Sequence, residues 1–326
     1  MVKTNSHEEE EEEIFEILTT DLPSEELKNL WDSLVFENKL KEGLLNYINT
    51  LGFLHEKDVD KTLCGANNIM LLHGPPGTGK TSLCKALAQQ ATLDLIEKKR
   101  YERGILVEIN ASSIFSKWFG ETGKQVQMMF EEVEEEVSDP KQMVFVLVDE
   151  IESLTMARKN SATGHECSDS VLAVNTLLTE MDKMKKYKNV LILTTSNITD
   201  LIDLAFISRA DIKKYIGLPT LTAIDSIYRS VLVELQKKDV IRNLDLEQNN
   251  NGSSEYSDSD LTWFMANKSL EAGFSGRTLR KIPFIALSYS SLESGMDKMD
   301  FFFFMERAID EETEQVSILS YSGNTA

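Results

Sequence analysis

The apolar residues of the chain fall into short continuous runs that alternate with stretches of helical periodicity. Four apolar runs predict buried strands at residues 67–73, 104–110, 143–149 and 189–197. Between them, two segments repeat apolar residues at the i, i+3, i+4 spacing of a helix face. These residues are Val126, Met129, Phe130 and Val133 in the first segment, and Val171, Val174, Leu177, Leu178 and Met181 in the second.

Buried strands that alternate with helices favour an α/β fold with a parallel, doubly wound sheet covered on both faces. Beyond residue 219 one helical stripe replaces the strand pattern, and it consists of Ile224, Ile227, Tyr228, Val231, Leu232 and Leu235. The sequence therefore predicts three parts. They are a solvated acidic head at 1–29, a large α/β domain at 30–218 and a small helical lid domain at 219–326.

Charge and cysteine content narrow the class of protein. The chain has 326 residues and a formal net charge of -20, with six consecutive glutamates near the start. An acidic balance argues against direct nucleic-acid binding, which needs a basic surface. Three cysteines without paired spacing fit a reducing compartment. The glutamate run is not followed by the apolar segment of a secretory signal, and no stretch approaches the roughly eighteen apolar residues of a membrane span. We expect a soluble, intracellular protein without a membrane partner.

A glycine-rich stretch follows the first predicted buried strand and precedes a predicted helix. It reads GPPGTGKT and fits the phosphate-binding pattern G-x-x-x-x-G-K-[ST] in full. Its glycines let backbone N–H groups turn toward phosphate oxygens, and the helix N-terminus adds partial positive charge. The lysine would reach the β- and γ-phosphates of ATP, and the threonine hydroxyl would bind Mg²⁺. The residues are Gly74, Pro75, Pro76, Gly77, Thr78, Gly79, Lys80 and Thr81.

Two adjacent acidic residues, Asp149 and Glu150, lie at the end of the third apolar run. Neighbouring strand residues point to opposite sides, so the two acids can take different tasks. Asp149 would hold the Mg²⁺ shell through water, and Glu150 would polarise the water that attacks the γ-phosphate. Asn197 ends the next run and could orient the same water. The alternative for all three is a solvated strand end.

The stretch SKWFGETGK places Trp118 beside Phe119, with Lys117 before them, in an otherwise small and polar segment. Two adjacent aromatics there are either core residues or residues displayed to grip a partner. For an isolated tryptophan, core packing is the ordinary interpretation.

Together, the phosphate loop, the Asp-Glu pair, the strand-tip asparagine and the helical C-terminal part resemble an AAA+ ATPase module. Several stretches resemble one family more closely, pachytene checkpoint protein 2, also called thyroid-receptor-interacting protein 13. They include LWDSLVF, SSIFSKWFGETGK, FVLVDEIESLTMAR, the RADI stretch and SGRTLRK. The resemblance extends from about residue 30 to the C-terminus.

The resemblance implies roles that the residues alone do not give. Arg209 matches an arginine finger that reaches the ATP of the neighbouring subunit, and Arg277 matches the lid residue that senses the γ-phosphate. Asn197 matches the first sensor. Trp118, with Lys117 and Phe119, matches a pore loop that grips an extended polypeptide, and residues from 157 onward would line the same pore.

The family resemblance further implies a homo-hexamer that remodels HORMA-domain proteins, often through a HORMA-like adaptor. It implies work at meiotic chromosome axes and in the spindle checkpoint, hence in the nucleus and cytoplasm. Family members carry a substrate-docking domain before LWDSLVF, whereas in this chain a stretch of about thirty residues, acidic and low in complexity, precedes Leu30. Two alternatives to a protein remodeller stay open. One is a regulatory subunit that binds ATP and co-assembles without docking substrate, and the other is a DNA-acting AAA+ motor, which the acidic balance opposes.

Overall fold

The computed structural model describes residues 17–36, 39–60, 65–111, 122–153, 168–198, 202, 204–244, 258–290 and 295–323. Among these residues, the strands are β1 (Leu18–Leu22), β2 (Ile69–His73), β3 (Arg103–Asn110), β4 (Gln142–Asp149), β5 (Val190–Ser196), β6 (Ile212–Tyr215), β7 (Ile241–Arg242) and β8 (Met296–Asp297). The helices are α1 (Leu30–Ser33), α2 (Leu40–Glu56), α3 (Lys80–Glu97), α4 (Thr122–Val137), α5 (Ser168–Met184), α6 (Leu204–Arg209), α7 (Leu221–Lys237), α8 (Asp258–Glu271), α9 (Gly276–Ser288) and α10 (Lys298–Gly323).

Six strands form one sheet in the order β1-β3-β4-β5-β2-β6. Only β1 runs antiparallel to its neighbour, and the other pairs are parallel. The four predicted strands correspond to β2 through β5, and their nearly continuous burial is typical of strands covered on both faces. The predicted α/β fold with a mostly parallel sheet is confirmed.

Two apolar layers cover the sheet. On one face, alternate residues of β2 to β5 pack against α4, α5 and α6, and the predicted helix residues Val126, Phe130 and Met181 lie in this layer. On the other face, the remaining strand residues pack against α2 and α3. Both periodic segments are therefore helices with the predicted apolar face inward, although Val171 is only half-buried.

Part of the segment assigned to the acidic head belongs to the fold, which corrects that assignment. β1 pairs with β3 over five residues, and the Ser24 backbone exchanges two hydrogen bonds with the Gln89 side chain. In β1, only Leu22 is buried, so the strand lacks the apolar run that marked the others. Residues 1–16 lie outside the described residues.

The C-terminal helices have a core of their own. Ile224, Tyr228 and Leu232 of α7 pack with apolar residues of α8, α9 and α10. The expectation that strands end before this region is wrong in one detail, because β7 and β8 form a two-residue parallel pair there. Among the described residues, no helix combines the length and the apolar composition needed to cross a membrane.

Candidate ATP site

The glycine-rich loop runs from the end of β2 to the start of α3 at Lys80. Gly74, Gly77 and Gly79 have positive φ angles of 142°, 75° and 90°. A β-carbon on Gly74 would lie 2.1 Å from the carbonyl oxygen of Ile216, so no other residue fits that position. The glycines thus provide a tight backbone turn that ends at a helix N-terminus, which is the arrangement that binds phosphate groups.

Lys80 is almost fully buried, with 4% of its surface exposed. Its ammonium group donates hydrogen bonds to the carbonyl oxygens of Gly74, at 2.9 Å, and Pro75, at 2.7 Å. Burial lowers the pKa of Lys80, and the nearby carboxylates of Glu152, Asp149 and Glu150 partly oppose this effect. The backbone turn of the phosphate loop therefore surrounds the charged group of Lys80.

Thr81, the residue after Lys80, links the phosphate loop to the end of β4. The Thr81 hydroxyl donates to both carboxylate oxygens of Asp149, at 2.9 and 3.1 Å. The Thr195 hydroxyl of β5 also donates to Asp149. No cluster of three or more metal-ligating side chains of the His, Cys, Asp or Glu type occurs among the described residues. A single hydroxyl and a single carboxylate still fit Mg²⁺, because this ion keeps several waters and takes further oxygens from substrate phosphates.

Glu150 follows directly after the last residue of β4 and has a positive φ of 61°. Its amide donates to the Thr195 hydroxyl at 3.2 Å, and its carbonyl oxygen accepts bonds from the Ser153 amide and hydroxyl. The strand has ended before Glu150, so strand alternation does not explain the direction of its side chain. The strained turn does, and the contacts of Thr195 and Ser153 hold it in place.

Asn197 directly follows β5, which lies between β4 and β2 in the sheet. The carboxyl ends of parallel strands meet at one edge, so Asn197 belongs to the same edge as Asp149 and Gly74. In the chain β2 is followed by β3, but in the sheet β5 and β4 lie between these two strands. The strand order therefore reverses beside β2, where β2 and β5 are neighbours. In open α/β sheets such a point is where ligands bind.

Arg277 comes to the loop from the lid domain. Its amide donates to the Gly77 carbonyl oxygen at 3.0 Å, and its charge contributes to the lowered pKa of Lys80. A β-carbon on Gly77 would lie 2.6 Å from the Ser275 hydroxyl, so the start of α9 rests directly on the phosphate loop. The two domains therefore share the candidate site.

Arg209 is placed differently. It ends α6, and its guanidinium group binds Asp182 of α5 and the carbonyl oxygen of Ala205. It is absent from the residues that line the cleft beside the phosphate loop. Within one chain, the structure does not bring Arg209 to the loop.

A cleft of about 780 Å³ opens beside the loop, between the lid and the segment before α2. Its apolar walls include Leu34, Phe36, Ile216 and Leu218, with Arg280 at its edge. Sequence reasoning did not assign these residues to the site, although LWDSLVF contributed to the family resemblance. A nucleoside attached to phosphates on the loop would enter this cleft.

Two more residues of the site were missed. Thr195 is buried and joins Asp149 to the turn at Glu150. The only signal in the sequence was its place in LTTSN, two residues before Asn197. Glu152 is 7% exposed, and its Oε2 atom has no hydrogen-bond partner. A third acid, two residues after Glu150, was visible in the sequence, but its burial was not.

The predicted pore-loop residues Lys117, Trp118 and Phe119 lie outside the described residues, and so do residues 157–167 of the second predicted pore stretch. Their assignment stays a prediction.

Comparison with known proteins finds a family profile for the large domain and another for the lid domain. A family profile described as ATPase family associated with various cellular activities (AAA) matches residues 70–218, and one described as TRIP13-like, AAA+ ATPase lid C-terminal domain matches residues 220–313. The chain is 44% identical over 321 residues to the pachytene checkpoint protein 2 homolog of Danio rerio, covering 96% of this chain and 75% of that protein. The chain belongs to the pachytene checkpoint protein 2 family.

Other relatives agree with this membership. The human homolog is 47% identical over 289 residues, which are 86% of this chain and 66% of that protein. The structure of C. elegans PCH-2 superimposes with a TM-score of 0.78 at 35% identity and covers 92% of this chain and 77% of that one. A chain of the E. coli MS115-1 HORMA:CdnC:Trip13 complex shares the fold, with a TM-score of 0.67 at 16% identity over 90% of this chain and 94% of that chain. As a family member, the chain is an AAA ATPase, an enzyme that binds nucleotide and hydrolyses ATP.

Proposed function

We propose that the chain hydrolyses ATP with Mg²⁺ at the junction of the phosphate loop, β4 and the lid. The observation that carries this proposal is the direct bond between Thr81 and Asp149 beside the buried Lys80. These three groups bring a hydroxyl, a carboxylate and a cation together where the phosphate loop meets the end of β4. Bound Mg²⁺ would neutralise charge on the β- and γ-phosphates, and Thr81 and Asp149 would hold it, Asp149 through water.

Each protein group has a distinct task in this reaction. Lys80 leaves its carbonyl partners and binds the β- and γ-phosphates. Glu150, turned out of the strand direction, accepts a hydrogen bond from the attacking water and then its proton. Asn197 orients that water from the neighbouring strand end. Arg277 brings a second cation from the lid to the γ-phosphate, so that hydrolysis changes how α9 rests on the loop.

The proposed assembly is a homo-hexamer in which Arg209 completes the site of the adjacent copy. The position of Arg209, away from the loop of its own chain, supports an action between subunits. An arginine supplied in trans stabilises charge in the transition state and makes hydrolysis depend on assembly.

The proposed substrates are HORMA-domain proteins, reached through a HORMA-like adaptor. Support comes from the lid profile and from the E. coli complex, which contains a HORMA protein beside Trip13. Trp118, flanked by Lys117 and Phe119, would grip the threaded polypeptide. The proposal includes work at meiotic chromosome axes and in the spindle checkpoint, in the nucleus and the cytoplasm, and imaging of the tagged chain tests this part.

Remodelling is tested by following the conformation of a purified HORMA-domain protein with this chain, adaptor and ATP. The wild-type chain should convert the HORMA protein, whereas Glu150→Gln should bind ATP without turning it over and convert nothing. Trp118→Ala should keep basal ATP hydrolysis and lose conversion. Wild-type hydrolysis without any conversion would remove the remodelling function but leave the ATPase. Loss of ATP binding in Trp118→Ala would assign the tryptophan to the core.

A further inference from the structure

The Arg209 side chain is held in one orientation by a carboxylate on another helix. Its Nε atom donates to both oxygens of Asp182 at 3.1 Å, and its Nη2 atom donates to Oδ2 at 2.8 Å. Its Nη1 atom donates to the Ala205 carbonyl oxygen at 2.9 Å. This side-on fork fixes the plane of the guanidinium group as well as its position.

Asp182 has a second cationic partner. The Lys185 ammonium group, directly after the end of α5, lies 2.6 Å from its Oδ1 atom. Burial by itself would raise the pKa of Asp182, but the hydrogen bonds from Arg209 and Lys185 lower it overall, so the group is a carboxylate at neutral pH. A shift of the guanidinium group toward another anion would therefore leave Asp182 paired with Lys185.

The solvent exposure of the Arg209–Asp182 pair indicates how much the pair contributes to the stability of the fold. The side chains of Arg209 and Asp182 are 28% and 39% exposed. Ion pairs of this exposure add little to the stability of a fold. An unrestrained arginine side chain, however, samples many rotamers, and a fork that orders it in advance removes part of the entropic cost of a later binding step.

We propose that Asp182 is a positioning residue, which orients the Arg209 guanidinium group for the ATP site of the adjacent copy. This inference rests on the proposed action of Arg209 between subunits. Asp182 touches neither nucleotide nor reacting atoms, and it acts through Arg209 alone.

The inference predicts a specific kinetic change. Asp182→Asn keeps the size of the side chain but loses the charge that holds the fork, so kcat should fall roughly 10- to 100-fold, the cost of a misplaced catalytic group. KM for ATP and the melting temperature should stay near wild type. Asp182→Glu, which keeps the charge, should restore part of the loss. A matched control is Glu180→Gln, since Glu180 lies on the same helix and pairs with Lys183 instead.

The test mixes two chains that are each inactive or slow alone. The Asp182→Asn chain has an intact ATP site but a poorly oriented Arg209. The Glu150→Gln chain has an inactive ATP site but a correctly oriented Arg209. Mixed assemblies should hydrolyse ATP well above the sum of the two separate chains, and Arg209→Ala mixed with Glu150→Gln should behave in the same way.

The outcomes separate this inference from the proposed function. If Arg209→Ala is rescued and Asp182→Asn is not, Asp182 does not position the arginine, although the action between subunits stands. If neither is rescued, the proposed action of Arg209 fails as well. Wild-type turnover in Asp182→Asn also overturns the inference. Should Asp182→Asn fail to fold, Asp182→Glu carries the same mixing experiment, with partial loss and full rescue expected.

Discussion

At the scale of single residues, the candidate site depends on backbone conformations that few side chains allow. Gly74 combines a φ of 142° with a contact that leaves no space for a β-carbon. Glu150 adopts a positive φ without being glycine and is held there by Thr195 and Ser153. Strain of this kind is concentrated where function fixes the geometry.

The glycine requirement is tested by comparing two substitutions. Gly74→Ala should abolish ATP binding and lower the free energy of unfolding by at least about 2 kcal/mol, because the β-carbon meets the Ile216 carbonyl group. Gly43→Ala is the control for the stability measurement, since this glycine lies in α2, in the wall of the cleft, with nothing within 4 Å of an added β-carbon. It should raise stability by about 0.5–1 kcal/mol. Denaturant unfolding and ATP titration measure both effects, and a harmless Gly74→Ala would contradict the loop geometry.

Thr195 should affect catalysis more than binding. Thr195→Val keeps the shape but loses the hydroxyl that joins Asp149 to the turn at Glu150, so kcat should fall roughly tenfold with KM for ATP little changed. Thr195→Ser keeps the hydroxyl and should stay near wild type. The control is Thr194→Val, because the buried Thr194 hydroxyl bonds to Met70 instead and its loss should cost stability without lowering kcat. Equal kcat values for Thr195→Val and Thr194→Val would exclude this role.

At the scale of elements, the segment from Trp31 to Phe36 joins the two domains at the cleft. Leu34 and Phe36 pack against the core of the large domain, and Val35 packs against the core of the lid. The Lys41 ammonium group donates to the carbonyl oxygens of Trp31 and Leu34, at 2.7 and 2.9 Å. From the lid, Arg280 donates to the Ser33 carbonyl oxygen.

The lid contact of this segment should tune nucleotide affinity. Arg280→Met loses the bond to Ser33 and loosens the wall of the cleft, so KM for ATP should rise roughly three- to tenfold while kcat changes little. Lys281→Met is the control, since Lys281 is the exposed neighbour of Arg280 on the same helix. Steady-state kinetics of both variants test this, and equal KM values would show that the contact does not shape the cleft.

The sequence predicted the strands that are buried on both faces and missed the strands that are not. β2 to β5 were visible because each is a nearly continuous apolar run. The edge strands β1 and β6 were not, because LTTDL and IKKY carry few apolar residues and owe their conformation to pairing with a neighbour. The phosphate loop was predictable since its chemistry is local. The walls of the cleft, Thr195 and the partner of Arg209 depend on contacts between residues distant in sequence.

At the scale of the whole molecule, the site has parts on two domains, and we propose that a second copy supplies another. The large domain provides the phosphate loop, Asp149 and Glu150, and the lid provides Arg277. Within its own chain, Arg209 bonds to Asp182 and does not line the cleft of this site. Unlike a self-contained ATPase, a single chain would therefore be incomplete.

The measurement that tests this claim most directly is ATP turnover per subunit as a function of protein concentration. For the wild-type chain, turnover per subunit should rise with concentration and level off as assembly completes. Arg209→Ala should remain low at every concentration while still binding ATP. A turnover per subunit that is constant from dilute to concentrated protein, and equal in Arg209→Ala, would contradict the account.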